Sequence, residues 1–237
     1  MSNKYFQFKQ FTVHQDKCAM KVCTDACLFG AIVASEENKF NSVLDIGTGT
    51  GLLSLMFAQK NPESFIHAVE VDAAAAEQAN KNFSSTEWKN RLAIFNQDIN
   101  KFEFGKKYDL VISNPPFFED DLLSEIENRN AAKHNSTLTL KQLLDILCNV
   151  LDENGKLAIL LPERRINYFE AEADKCRLRL QRKILVRQTP MHDIFRGILF
   201  FKKENVKPHI TEMSIKRTDG SYTAEFIALL KDYYLYL

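Results

Sequence analysis

Three glycines at alternate positions, Gly47, Gly49 and Gly51, close the run Asp45-Ile46-Gly47-Thr48-Gly49-Thr50-Gly51. The run follows an apolar stretch that reads as a strand and opens one that reads as a helix. That setting brings backbone N–H groups close to a nucleotide-like ligand. The spacing is neither the G-x-G-x-x-G of a dinucleotide fingerprint nor a P-loop, which needs Gly-Lys-Ser/Thr after four spacers. A carboxylate at Asp45 repels a pyrophosphate and suits an ammonium group. Glu70, 19 residues beyond Gly51 and ending a second apolar strand, stands where a carboxylate accepts hydrogen bonds from ribose hydroxyls. A third candidate constellation is Asn114-Pro115-Pro116-Phe117-Phe118. Its prolines lack N–H donors, so carbonyls are left to face a ligand. The Asn114 side chain and the Pro115 carbonyl can together accept both hydrogen bonds of one amine, and Phe117 can stack on a flat substrate. A tight turn with no ligand is the bland alternative for each loop, and their joint occurrence at strand exits disfavours it.

These loops need elements to hold them. Ser42–Ile46, Phe65–Glu70, Leu92–Asn96, Tyr108–Ser113 and Lys156–Leu161 read as strands, and Gly51–Lys60, Ala73–Phe83 and Leu138–Leu151 as helices. Alternation at this spacing predicts an α/β fold with a parallel sheet and helices on both faces. Leu180–Arg187 and Gly197–Lys203, close in sequence, read as a hairpin that would give the sheet an antiparallel edge. Tyr222–Tyr236 reads as a terminal helix. Before the sheet, one strand and a helix over Thr24–Ser35 form an N-terminal cap. One domain over residues 1–237 is expected, with the cap in 1–40 and the catalytic core in 41–237.

The 237 residues carry 31 Lys+Arg and 31 Asp+Glu, which excludes a bulk polycation. The charge is uneven: residues 164–217 hold 14 cations and 6 acids. Within them Lys175, Arg177, Arg179, Arg182, Lys183 and Arg187 occur with no intervening acid. This stretch is either a solvated face paired with acids elsewhere or a polyanion contact; taken alone it favours the first. No apolar run is long enough to span a bilayer, and the N-terminus lacks a secretory centre, so a cytoplasmic protein is expected. His14, Cys18, Cys23 and Cys27 lack the short C-x2-C spacing of zinc sites, and no metal is expected.

The glycine loop with Glu70 resembles that of class I S-adenosylmethionine (SAM) methyltransferases. The Asn-Pro-Pro-Phe loop resembles the (N/D)PP(F/Y/W) signature of methyltransferases acting on planar nitrogens. Met20-Lys21-Val22-Cys23-Thr24-Asp25 and Arg129-Asn130-Ala131-Ala132-Lys133-His134 resemble elements of the bacterial tRNA1(Val) adenine-37 N6-methyltransferase family. Lys133 stands where that family usually has Arg, which keeps the charge and loses a bidentate fork. The resemblance covers nearly the whole chain. It implies a Rossmann-like fold with a mostly parallel seven-stranded sheet, and SAM-dependent N6-methylation of adenine 37 in tRNA. By this resemblance Lys21, Thr24 and Asp25 lie against the methionine end of SAM, with Asp45, Gly47, Gly49 and Gly51 in the same binding site. Glu70 holds the ribose, Asp98 the adenine, and Asn114 with Pro115 the target amine, while Pro116 and Phe117 complete the catalytic loop. The base must leave its stack, with Phe117 or Phe118 replacing the lost stacking. Arg129, Lys133, His134, Arg179, Arg182 and Lys183 would contact the RNA. The partner is then tRNA, and a monomer with no membrane and no metal suffices. Two alternatives stand beside this one: a protein glutamine methyltransferase of the release-factor type, and a non-catalytic nucleotide-binding module.

Overall fold

The computed structural model describes residues 3–18, 20–115 and 138–237. Two short strands, β1 (Tyr5–Gln7) and β2 (Thr12–His14), pair antiparallel ahead of helix α1 (Thr24–Ala34). The main body then alternates β3 (Ser42–Ile46), α2 (Leu52–Lys60), β4 (Phe65–Glu70), α3 (Ala73–Ser84), β5 (Leu92–Asn96) and β6 (Tyr108–Ser113). After the undescribed stretch come α4 (Leu140–Val150), β7 (Leu151–Pro162), α5 (Glu163–Lys175), β8 (Arg179–Arg187), β9 (Ile194–Lys202), β10 (His209–Ser214) and α6 (Ala224–Leu230).

The sheet order is β10-β8-β9-β7-β6-β3-β4-β5. Strands β7, β6, β3, β4 and β5 are parallel neighbours, and β9 runs antiparallel to both β7 and β8. The seven-stranded expectation is corrected to eight: β10 adds to the outer edge of β8, parallel to it. Its sequence gives little warning, because Met213 is its one buried residue and Ile210 is 52% exposed. An edge strand that sends a single side chain into the core carries no clear alternation. The expected single N-terminal strand is two, and the C-terminal helix is shorter than Tyr222–Tyr236. Thr223 caps it by accepting from the Phe226 N–H, and after it Tyr233 and Tyr234 fold back into the core.

Period-two alternation along the strands divides two apolar cores. Val43, Ile66, Ala68, Leu110, Ile112 and Leu160 face α1, α2 and α6. Leu44, Ile46, Val69, Val111, Ile159 and Leu161 face α4 and α5. Because both faces are covered, the central strands are continuous apolar runs, as parallel sheets require.

Candidate functional site

The parallel strands β3, β4, β5 and β6 all end on one edge of the sheet, which therefore gathers Gly47–Gly51, Glu70, Asp98 and Asn114. Ligands of open α/β sheets bind beyond such carboxyl ends. The glycine loop is built from left-handed backbone, with φ of 71° at Gly47, 55° at Gly49 and 82° at Gly51. At Gly51 an added Cβ would also sit 2.4 Å from the Phe83 ring, so the loop-to-helix turn is closed to any larger residue. At Gly47 and Gly49 an added Cβ would meet nothing within 4 Å, so these two face open space.

Asp45 and Glu70 brace the loop from opposite sides. Asp45 is fully buried, and its Oδ2 accepts from the hydroxyls of Thr48 at 2.6 Å and Ser54 at 2.7 Å. Its Oδ1 is buried without a hydrogen-bond partner among the described residues. Burial pushes this carboxyl up to about 6, against the pull of the two hydroxyls. Glu70 accepts from the Gly49 N–H at 2.9 Å through Oε2 and from the Asp72 N–H at 2.9 Å through Oε1. Asn114 also has a buried Oδ1 without a partner among the described residues, and Pro115 beside it is buried. The Ser113 hydroxyl donates to the Ile46 carbonyl at 3.0 Å and fastens the exit of β6 to that of β3. Pro116, Phe117, Phe118, Arg129, Lys133 and His134 lie outside the described residues.

Other expected site residues have protein partners of their own. Asp98 caps a 3₁₀ turn, accepting from the Asn100 N–H at 3.0 Å, and these bonds hold its carboxyl below the usual range. Asp25, in the first turn of α1, accepts from Arg196 Nε at 2.8 Å. Lys21 is exposed and Thr24 half-buried. Along β8, Arg179 pairs with Asp174, Arg182 with Glu36 at 3.1 Å and Lys183 with Glu170 at 2.6 Å. Register places Arg179 opposite Lys202, at the end of the sheet away from the glycine loop. These pairs match the solvated-face alternative for the stretch.

Two groups on this edge carry no sequence signal. Buried Asn82 in α3 donates to the carbonyls of His14 at 3.0 Å and Thr50 at 2.9 Å, which staples the N-terminal strands to the glycine loop. Arg196 joins β9 to α1 through Asp25, with its guanidinium carbon 5.4 Å from the Phe195 ring centroid. Neither stands in a motif, and only the fold brings them together. Among the described residues no group of three or more His, Cys, Asp or Glu could hold a metal ion. No helix among them is long and apolar enough to cross a membrane.

Residues 28–171 match the methyltransferase small domain. The fold resembles that of a predicted O-methyltransferase from Agrobacterium tumefaciens, with a TM-score of 0.67 and 15% identity over 88% of this chain and 96% of that one. It also resembles a ribosomal protein L11 methylase from Lactobacillus delbrueckii subsp. bulgaricus, with a TM-score of 0.57 and 15% identity over 81% and 84%. The fold and its loop-lined edge are those of a Rossmann-like class I methyltransferase, the class whose cofactor is SAM. Within that class, the tRNA1(Val) (adenine(37)-N6)-methyltransferase of Dyadobacter fermentans is 40% identical over 98% of both chains. The protein of that name from Trichodesmium erythraeum is 38% identical over 99% of both. The chain belongs to this tRNA1(Val) (adenine(37)-N6)-methyltransferase family. Its residues fit SAM: an open two-glycine cradle, an unpartnered buried carboxylate oxygen for a cation, and a carboxylate at the end of β4.

Proposed function

We propose that this chain methylates N6 of adenosine 37 in tRNA1(Val), acting in the cytoplasm as a monomeric single-domain enzyme over residues 1–237. The observation that carries the chemistry is the buried, unpartnered Asn114 Oδ1 beside the donor-free Pro115. The full-length likeness to relatives bearing that activity in their names carries the substrate.

Bound SAM supplies an electrophilic sulfonium methyl group. Asp45 Oδ1 would accept from its ammonium, Glu70 from its ribose hydroxyls and Asp98 from its adenine, while Lys21, Thr24 and Asp25 would line the methionine end. Glu70 must then share its carboxylate between the ribose and the Gly49 N–H. Asn114 Oδ1 and the Pro115 carbonyl accept the two N–H bonds of the target amine and so orient its lone pair. Both acceptors gain strength as positive charge develops on that nitrogen, and the surplus proton can pass to water without a strong base. By the motif resemblance, Phe117 and Phe118 stack on the flipped base, and Arg129, Lys133 and His134 contact the anticodon-loop phosphates.

The test is single-turnover methyl transfer to unmodified tRNA1(Val). Asn114→Ala lowers the rate about 10²–10³-fold with little change in SAM affinity. A wild-type single-turnover rate in this variant would reduce the Asn-Pro-Pro-Phe loop to a scaffold.

A further inference from the structure

Three of the parallel crossovers are covered by full helices: β3 to β4 by α2, β4 to β5 by α3, and β6 to β7 by α4. The crossover from β5 to β6 has only the 3₁₀ turn Ile99–Lys101. The face of β4 and β5 beneath it consequently keeps an open cavity of about 440 Å³. That size lies within the ~300–1,000 Å³ of small-ligand pockets.

Its walls are aromatic and half-buried. His67 from β4 lies 5.2 Å from Phe95 of β5 between ring centroids, and Phe95 lies 5.1 Å from Phe102. His67 Nδ1 and the Tyr108 hydroxyl share a hydrogen bond of 2.9 Å. Gln97 and Glu103 stand at the same cavity and offer polar groups to the edge of a planar ligand. Flat rings with polar edges suit a nucleobase, since stacking tolerates any base.

The charge around the cavity identifies the occupant further. Lys101, Lys106 and Lys107 belong to this one connection against the acids Asp98 and Glu103, a net of +1, and none of the three lysines enters a salt bridge with a described residue. Lys101 is balanced in part by the field of Asp98, and Lys107 lies within electrostatic reach of Glu153, itself paired with Lys203. The Lys106 ammonium sits 5.5 Å from the Tyr108 ring centroid, at the cavity itself. The basic stretch on β8, by contrast, spends its cations on acids of the chain. The connection starts at the functional edge, beside Asp98, and runs to the opposite end of the sheet, where Lys106 and Lys107 precede Tyr108, the first residue of β6. Gln97, next to Asp98, donates its N–H to the Glu70 carbonyl at 3.0 Å.

We propose that this cavity is a second RNA-contact site: one unpaired base of the tRNA substrate stacks on one of the two rings Phe95 and Phe102, which stand 64° apart, and meets the other edge-on, while Lys106 and Lys107 hold its phosphates. The proposal rests on the tRNA reading above and assigns a nucleotide other than the target to this pocket. It makes the β5–β6 connection, and not β8, the source of the salt dependence of tRNA binding.

The test uses the full chain and unmodified tRNA. In the Lys106→Glu/Lys107→Glu variant, tRNA binding weakens about tenfold at moderate salt, and the slope of log affinity on log salt becomes shallower by roughly 0.7–1.8, one or two phosphate contacts. SAM affinity and the single-turnover rate at saturating tRNA stay at wild-type values. Phe102→Trp in a Trp88→Phe background places the chain's one tryptophan in the cavity without losing the stacking surface. Its emission is quenched by tRNA and unaffected by adenosine monophosphate at equal concentration. An unchanged affinity and slope in the charge-reversed variant, with wild-type methylation intact, overturns the cavity proposal and leaves the enzyme reading standing. Equal quenching by the mononucleotide overturns it as well, since the pocket then serves a free nucleotide. Failure of the wild type to bind and methylate tRNA removes both readings together.

Discussion

Asp45 couples the stability of the fold to pH in a direction opposite to that of most carboxylates. Its ordinary value of 3.8 is raised to about 6 by complete burial. A carboxyl raised in the folded state adds stability that is fully present below the unfolded value and lost as pH rises through the folded one. The shift corresponds to about 3 kcal/mol between the two limits. Between pH 5 and pH 8, the linkage relation with these two values gives a loss on the order of 1 kcal/mol from this one group. Asp45→Asn removes the titration and keeps the shape. Its amide oxygen can retain the hydroxyls of Thr48 and Ser54, while its NH₂ takes the place of the unpartnered Oδ1. At pH 8 relief of the buried charge and the cost of an unsatisfied amide, about 1–3 kcal/mol, nearly cancel. At pH 5 the variant should be the less stable by on the order of 1 kcal/mol more than at pH 8. Urea denaturation of both proteins without SAM, at the two pH values, measures this double difference, in which all other titrating groups cancel. A double difference near zero would refute the burial of an ionising Asp45.

Glu70→Gln leaves one acceptor for two backbone donors and should cost about 1.5–3 kcal/mol in chemical denaturation, with SAM affinity falling in titration calorimetry. Gly51→Ala combines a left-handed φ of 82° with a Cβ 2.4 Å from Phe83; about 2–4 kcal/mol of destabilisation is expected, read as a lowered Tm. Charge reversal at Arg179 and Arg182 breaks their pairs with Asp174 and Glu36 and should leave the salt slope of tRNA binding unchanged. A shallower slope would return β8 to the RNA contact.

The strands that position the site were legible to the residue: Ser42–Ile46, Phe65–Glu70, Leu92–Asn96 and Tyr108–Ser113 are each buried on two faces or end at a marked loop, so their apolar runs have clear limits. Helix α5 has no counterpart among the expected elements. Its buried Ile166, Phe169 and Ala173 do recur at helical spacing, but charged residues dominate Glu163–Lys175 and mask that narrow stripe. Strand β7 begins earlier than Lys156, at Leu151, because a register shift against β6 lets polar residues join its start. The positions of Asp45, Glu70 and Asn114 at or beside the ends of β3, β4 and β6 were readable because a strand end fixes where a side chain stands. Asp25 and Arg179 were not readable in the same way. Their neighbours Arg196 and Asp174 come from tertiary pairing and a helix end, and sequence spacing carries no record of which acid meets which base.

The central claim is that one nitrogen of one nucleotide receives the methyl group. Purified protein incubated with isotopically labelled SAM and unmodified tRNA1(Val), followed by nuclease digestion and nucleoside analysis, tests it most directly. The account predicts that the label appears as N6-methyladenosine, at about one per tRNA on completion, and is absent when the transcript carries guanosine at position 37. Label in another nucleoside, label retained in the position-37 variant, or no transfer to tRNA by folded, SAM-binding protein would contradict it.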